Sequence, residues 1–240
     1  LPELSGLVRA SDTGRDAYWG EEDSGNKNAV YLMDTLGRLL GTKYLPGVFN
    51  RDWEDIAAGP GPDKGAFYIY LGDIGDNLHI FPFITVYRFV APSPEADTWK
   101  DSLISNFDVL NFIYPDGPHD AEALMVDPLT RDIYVLTKES QAGLYVARYP
   151  QNATEATHLT KLGTLPISTV TAADITADGK GILIKNYDDV YYWVRAEGQS
   201  VADCLRQAPA RLAYHKELQG EAIAWDPAGK SFFTVSEKVG

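Results

Sequence analysis

Carboxylates recur along this chain in a fixed setting: an acidic or small residue, a small or acidic residue, then an aliphatic one. The copies are Ser5-Gly6-Leu7, Glu54-Asp55-Ile56, Glu122-Ala123-Leu124, Ala173-Asp174-Ile175 and Glu221-Ala222-Ile223. Asp52, Asp55 and Asp120 flank the starts of these copies' strands, and Asp73-Ile74-Gly75-Asp76-Asn77 gathers three oxygen donors around a glycine turn. Carboxylates brought within a few ångströms repel one another and require a cation, a proton or abundant water. A set of oxygen donors suits a hard ion such as Ca2+ better than zinc. The candidate ligands are Glu54, Asp73, Asp76, Asn77, Glu122 and Glu221. The 73–77 segment does not have the spacing of an EF-hand loop. In the competing assignment, Asp and Asn cap turns while the Glu residues bond backbone amides of neighbouring sheets.

His119 and Asp120 beside Glu122 form a candidate acid–base group, or else a solvated turn. Asp23-Ser24-Gly25 reads as a hairpin turn, because no Gly-x-Ser-x-Gly surrounds the serine. The glycine-rich residues 59–65 lack the Lys-Ser/Thr of a phosphate loop and read as a connection. Trp53 is expected to wedge between sheets; facing a mouth it would instead favour a sugar. Asn152-Ala153-Thr154 fits a glycosylation acceptor.

The recurring copies lie 49, 68, 51 and 48 residues apart. A period of this size with strands throughout is the signature of propeller blades. Second strands are expected at residues 17–20, 67–72, 133–137, 182–185 and 232–235. Third strands follow at 29–33, 85–89, 143–148 and 190–194, each with a Val-Tyr or Leu-Tyr step. Weaker fourth strands fall at 39–45, 106–113, 157–162 and 211–215, and the long second interval holds an extra stretch over 92–106. Turn chemistry at Pro128-Leu129, Asp178-Gly179 and Pro227-Ala228-Gly229 separates the strands. Single capped helical turns are expected at 200–205 and 95–103. The expectation is one all-β propeller domain over 1–240, five blades with six as the alternative, its last blade incomplete. A two-stranded remnant leaves an exposed edge, which a longer chain, a preceding segment or a neighbour's strand would complete. In such a ring the start of each first strand and the end of each second share one mouth. That gathers Glu54, Glu122, Asp174 and Glu221 with Glu21, Asp73, Lys138, Asn186 and Glu237.

With 21 Lys plus Arg against 34 Asp plus Glu, the net charge is −13, which excludes a phosphate-backbone binder and favours cationic partners. The single cysteine, Cys204, excludes an intrachain disulfide and a cysteine zinc site. No run of 18 apolar residues occurs, so no helical membrane span is expected. The chain starts Leu1-Pro2-Glu3 without Met, which suggests a removed leader or a trimmed start.

The motifs Asp23-Ser24-Gly25, Arg51-Asp-Trp-Glu-Asp-Ile-Ala57, Gly72-Asp-Ile-Gly-Asp-Asn77, Asp120-Ala-Glu-Ala-Leu124 and Gly220-Glu-Ala-Ile-Ala224 together span nearly the whole chain. On them the sequence resembles a family of secreted bacterial β-propeller proteins, most without an assigned function. The architecture is also similar to phytase-like and gluconolactonase-like propellers, whose acidic mouths hold calcium or another divalent ion in rings usually of six blades. The resemblance implies export to the periplasm or the exterior, a propeller and metal affinity, and no particular reaction. Three functions stay open. One is a binding or scaffold module for a small molecule, glycan or protein, with a divalent cation at its mouth. Another is a metal-dependent hydrolase of a phosphate ester, lactone or sugar, with His119, Asp120 or Glu122 as base. The third is a structural subunit of an extracellular assembly, completed by strand donation, as in a homo-oligomer that complements the last blade.

Overall fold

The short apolar runs form strands that are buried on both faces, because each sheet is covered by a neighbour on either side. The computed structural model describes residues 1–11, 16–93 and 100–237. The first sheet is β1 (Leu4–Arg9), β2 (Ala17–Glu22), β3 (Ala29–Asp34) and β4 (Leu39–Tyr44), paired antiparallel in chain order. The second opens with β5 (Trp53–Pro60), β6 (Phe67–Asp73) and β7 (Ile84–Val90). The chain then returns as β8 (Ser102–Leu103), parallel to β4 on the outer edge of the first sheet, before β9 (Asp108–Ile113) joins β7. The third sheet contains β10 (Ala121–Val126), β11 (Ile133–Thr137) and β12 (Ala142–Ala147). After them β13 (Thr157–His158) adds parallel to β9, and β14 (Thr160–Leu165) closes the third sheet. The fourth has β15 (Val170–Ile175), β16 (Gly181–Asn186), β17 (Val190–Val194) and, after helix α1 (Val201–Leu205), β18 (Ala210–Leu212). The fifth is only β19 (Gly220–Trp225) and β20 (Phe232–Ser236).

The inner strands β1, β5, β10, β15 and β19 each touch the next, and β19 touches β1, so the ring is closed. Four sheets are full blades. The expected fifth is present as two strands, and no sixth sheet occurs among the described residues. Thus the extra stretch after β7 staples the first blade's edge, and residues 157–165 divide between two blades. Of the capped turn expected over 95–103, residues 95–99 lie outside the described residues, and its end is β8. The other turn is α1, where the Ser200 hydroxyl accepts from Asp203 N.

Hydrophobic clusters fill the wedges between adjacent sheets. Val8, Trp19, Trp53, Ile56, Ile69 and Phe89 join the first two blades. Trp53 is fully buried there, its ring 6.2 Å from Tyr87, so it is the wedge between sheets and offers no sugar platform at the mouth. Truncating such a side chain to Ala costs about 3–5 kcal/mol. The tight turn between β15 and β16 relies on Gly179 at φ 72°, a conformation that glycine adopts without strain.

Candidate metal centre at the channel mouth

Every inner strand slips by one residue at its start. The pairing shifts between Leu4 and Gly6, Trp53 and Asp55, Ala121 and Ala123, Val170 and Ala172, and Gly220 and Ala222. Such a bulge leaves one residue out of the ladder and re-aims its side chain. The five residues are Ser5, Glu54, Glu122, Thr171 and Glu221, and they stand 49, 68, 49 and 50 residues apart. The register therefore corrects the fourth repeat: Thr171, not Ala173, is the counterpart of Glu54, and Asp174 lies three residues deeper. Asp174 accepts from Trp225 N and Ile175 N, both at 2.8 Å, and so ties the fourth sheet to the fifth. Burial pushes its carboxyl up to about 6. Asp55 ties the second sheet to the third in the same way, through Leu124 N and Ile56 N at 2.8 Å.

Two of the bulge residues are hydroxyls that close onto the next sheet. Ser5 donates to Glu54 O at 2.9 Å and Thr171 to Gly220 O at 3.2 Å. The other three are carboxylates. Glu122 is paired with Lys138 at 2.6 Å, and Glu221 Oε1 accepts from Tyr187 at 2.9 Å while its Oε2 has no partner among the described residues. Glu54 instead meets Asp23, which follows β2, and Asp52, which precedes β5. Each offers an oxygen within 4.8 Å of the other two. Gly75 walls this cluster: a β-carbon there would collide with Glu54 Oε1 and come within 2.6 Å of Asp52 Oδ2. Glu21, at the end of β2, lies against Gly6 beside the start of β5. It is fully buried, and neither of its oxygens has a partner among the described residues.

Burial, then the charges of Glu122, Asp23 and Asp52, hold Glu54 well above the usual carboxylate range. Burial, then Asp55 and Asp23, does the same to Glu21. Asp52 is pushed up to about 6 by burial and by Asp23, and Glu122 to about 8 by burial despite Lys138. Burial works against the Lys138 ammonium, yet Glu122 keeps its pKa above the ordinary value. Glu237 is raised to about 7, by burial and then Glu221. Burial lowers Lys185, in β16, to about 8; its ammonium donates to Asn186 O and Gly220 O.

The remaining expected ligands serve other ends. Asp73 pairs with Arg51 Nε at 3.2 Å and accepts from Asp52 N at 3.0 Å, holding the approach to β5. Asp76 accepts from Ile80 N at 3.0 Å and Phe81 N at 2.8 Å, and its own N–H donates to Asp120 at 2.8 Å. Asn77 is exposed on that turn, and Asn186 caps the turn after β16 through Asp188 N and Asp189 N. His119 does not join Asp120 or Glu122. Its Nδ1 lies 2.6 Å from Glu139, and its Nε2 faces Tyr145 at 2.9 Å and Asp116 at 3.2 Å. Among the expected ligands, then, the described cluster retains Glu54 and adds Asp23 and Asp52. Both acids sit inside the sequence motifs, but nothing in the sequence marks them as the ones that the fold brings to Glu54.

An oxygen-only set with excess negative charge and little solvent is suited to a hard cation.

No family model matches the chain, and no curated protein matches it. Among solved structures, one entitled "Structure of U3-55K" is similar at a TM-score of 0.44 and 10% identity, over 99% of this chain and 62% of that chain. The chain thus spans less than two thirds of that protein's length. The propeller arrangement rests on the strand pairing of this chain itself.

Proposed function

We propose that this chain is an exported propeller binding module whose channel mouth holds a hard divalent cation, Ca2+ being the best match. The observation that carries this is the convergence of Asp23, Asp52 and Glu54 within 4.8 Å, on the same mouth as Glu21, which is buried with neither oxygen partnered among the described residues, and Glu221, which has one such oxygen. Ion binding would convert mutual repulsion into attraction between the connection after β2, the connection before β5 and the start of β5 itself. Calorimetric titration of chelator-treated protein with Ca2+ and with Mg2+ tests the reading. At 100 times the dissociation constant, a bound ion stabilises the fold by about 2.7 kcal/mol, visible as a rise of several degrees in melting temperature. Glu54→Gln with Asp52→Asn should abolish both the heat and the rise, and Gly75→Ala should weaken them by crowding the two carboxylates. No heat and no rise in the wild type would remove the site.

A second reading is favoured by the fifth sheet. Among the described residues β20 has no strand on its outer side, and the grooves flanking it are apolar. Leu4, Leu7, Tyr18, Met33 and Phe233 line one groove of about 290 Å³, and Tyr192, Leu212, Trp225 and Phe232 line another of about 450 Å³. An added strand would pair with β20 and fill both. Native mass measurement tests completion by a second copy, and a strictly monomeric species at micromolar concentration opposes it.

A further inference from the structure

The connections that wall the carboxylate cluster also carry an apolar crest. Leu78, Ile80 and Phe83, between β6 and β7, stand 75, 62 and 39% exposed, and Phe49, between β4 and β5, stands 77% exposed. Strand direction puts both connections at the mouth, since β4 and β6 end there. Arg51 joins them. Its guanidinium lies 4.1 Å over the Phe81 ring, and its Nη1 donates to Phe83 O at 3.4 Å while its Nε holds Asp73. The bonds from Ile80 N and Phe81 N to the Asp76 carboxylate fix the connection, so that its aliphatic side chains project into solvent instead of folding back. Two residues before Asn77, Gly75 is pressed against Glu54 and Asp52. Crest and cluster are therefore parts of one rigid rim.

Exposed apolar groups clustered on one rim mark an interaction surface. We propose that this crest, with the half-buried carboxylates Asp23 and Asp52 beside it, docks an extended protein segment in which a Lys or Arg is flanked by large apolar residues. Charge complementarity selects this occupant. The chain carries −13, and the rim beside the crest presents carboxylates, so a cationic side chain is drawn in and an anionic lipid surface is repelled. Trp53, the residue that would have offered a sugar a flat face, is buried. The inference rests on the reading of the mouth as a cation site, for the partner's cationic group draws on the same oxygens and competes with the metal ion.

The test uses a fluorescent ten-residue peptide with one central arginine between pairs of leucines, titrated into the whole chain in chelator. Two control peptides carry glutamate for the arginine or serine for the leucines. The proposal expects binding of the first peptide only. It also expects at least tenfold weaker binding by Ile80→Ser with Phe83→Ser, by Asp52→Asn, and on adding millimolar Ca2+ to a protein shown to bind that ion. Circular dichroism checks that the variants fold. Absence of binding overturns the proposal, as do equal binding by the crest variant, preference for the glutamate peptide, and capture of neutral lipid vesicles in place of the peptide. Because the peptide arm runs without metal, a protein that binds no Ca2+ refutes the metal reading and leaves the peptide result legible.

Discussion

The two ends of the ring use the same residue types to opposite effect. At the end away from the mouth, acids sit in hairpins and their oxygens are satisfied. Asp34 accepts from Leu36 N and Arg38 N at 2.9 Å, and Asp226 from Lys230 N and Ser231 N at 2.6 and 2.8 Å. Asp178 accepts from Thr176 and Lys180 N. Asp127 goes furthest: it accepts from Leu129 N and Thr130, and it takes both guanidinium nitrogens of buried Arg195 at 2.8 and 3.0 Å. At the mouth, Glu21 and one oxygen of Glu221 have no donor, and Asp23, Asp52 and Glu54 face one another. Acid content alone therefore marks neither end as a site. The account of donors does, because an unpaired buried carboxylate carries a desolvation cost that a bound cation removes.

Substitutions at the two ends should then act with opposite sign. The largest effect is expected from Asp127→Ala, which leaves the Arg195 guanidinium buried and unpaired and should destabilise by about 3–5 kcal/mol. The midpoint of urea unfolding reports it, and a loss under 1 kcal/mol would show that this end is no better satisfied than the mouth. Glu21→Gln replaces a buried carboxyl that has no partner among the described residues by a group that cannot ionise. In metal-free protein it should stabilise by about 1–2 kcal/mol, and a destabilisation of that size would mean that a donor reaches Glu21.

The pH response sharpens the same contrast. Asp52, Glu237 and Glu122 have folded values of about 6, 7 and 8, above the usual range near 4. A carboxyl raised on folding contributes stability that is complete below its unfolded value and lost as pH rises through the folded one. Metal-free protein should therefore lose stability steadily from pH 5 to pH 8.5, and saturating Ca2+ should flatten the slope by favouring the ionised forms. Asp178 runs the other way. Its bonds to Thr176 and Lys180 N hold it below the usual value, so its contribution fades only as pH falls below about 4. Melting temperatures across pH with and without Ca2+ separate these, and parallel curves would contradict the assignment of the mouth.

Much of the ring was legible because its period is written in apolar strands, while bulges have no sequence mark. That is why the fourth repeat misaligned: Asp174-Ile175 imitates Asp55-Ile56, both aspartates bonding the next residue's N–H and the neighbouring sheet. Only the pairing of Val170 with Asn186 and Ala172 with Lys185 reveals Thr171 as the counterpart of Glu54. Glu54, Glu122 and Glu221 were legible as mouth residues. Which of them would find a donor of the chain's own was not, since Lys138 reaches Glu122 from just past β11 and Tyr187 reaches Glu221 from a turn. His119 misleads for a related reason. Adjacency to Asp120 suggests a pair, but the ring is packed against Tyr114 and Tyr145, with centroids 5.0 and 5.3 Å away.

The smallest expected effect concerns the segment that most resembles a metal loop. Three oxygen donors around Gly75 suggest ligation, yet Asp73 is occupied by Arg51 and Asp52 N, Asp76 by two backbone amides, and Asn77 faces solvent. The contribution of this stretch to the cluster is the bare surface of Gly75, which lets Glu54 and Asp52 approach. Asn77→Ala should accordingly leave stability within about 0.5 kcal/mol, as for an exposed surface change, and Ca2+ affinity unchanged within about twofold. A tenfold loss of affinity, about 1.4 kcal/mol, would place the Asn77 amide on the ion and shift the centre from the first two blades' inner ends onto the β6–β7 connection.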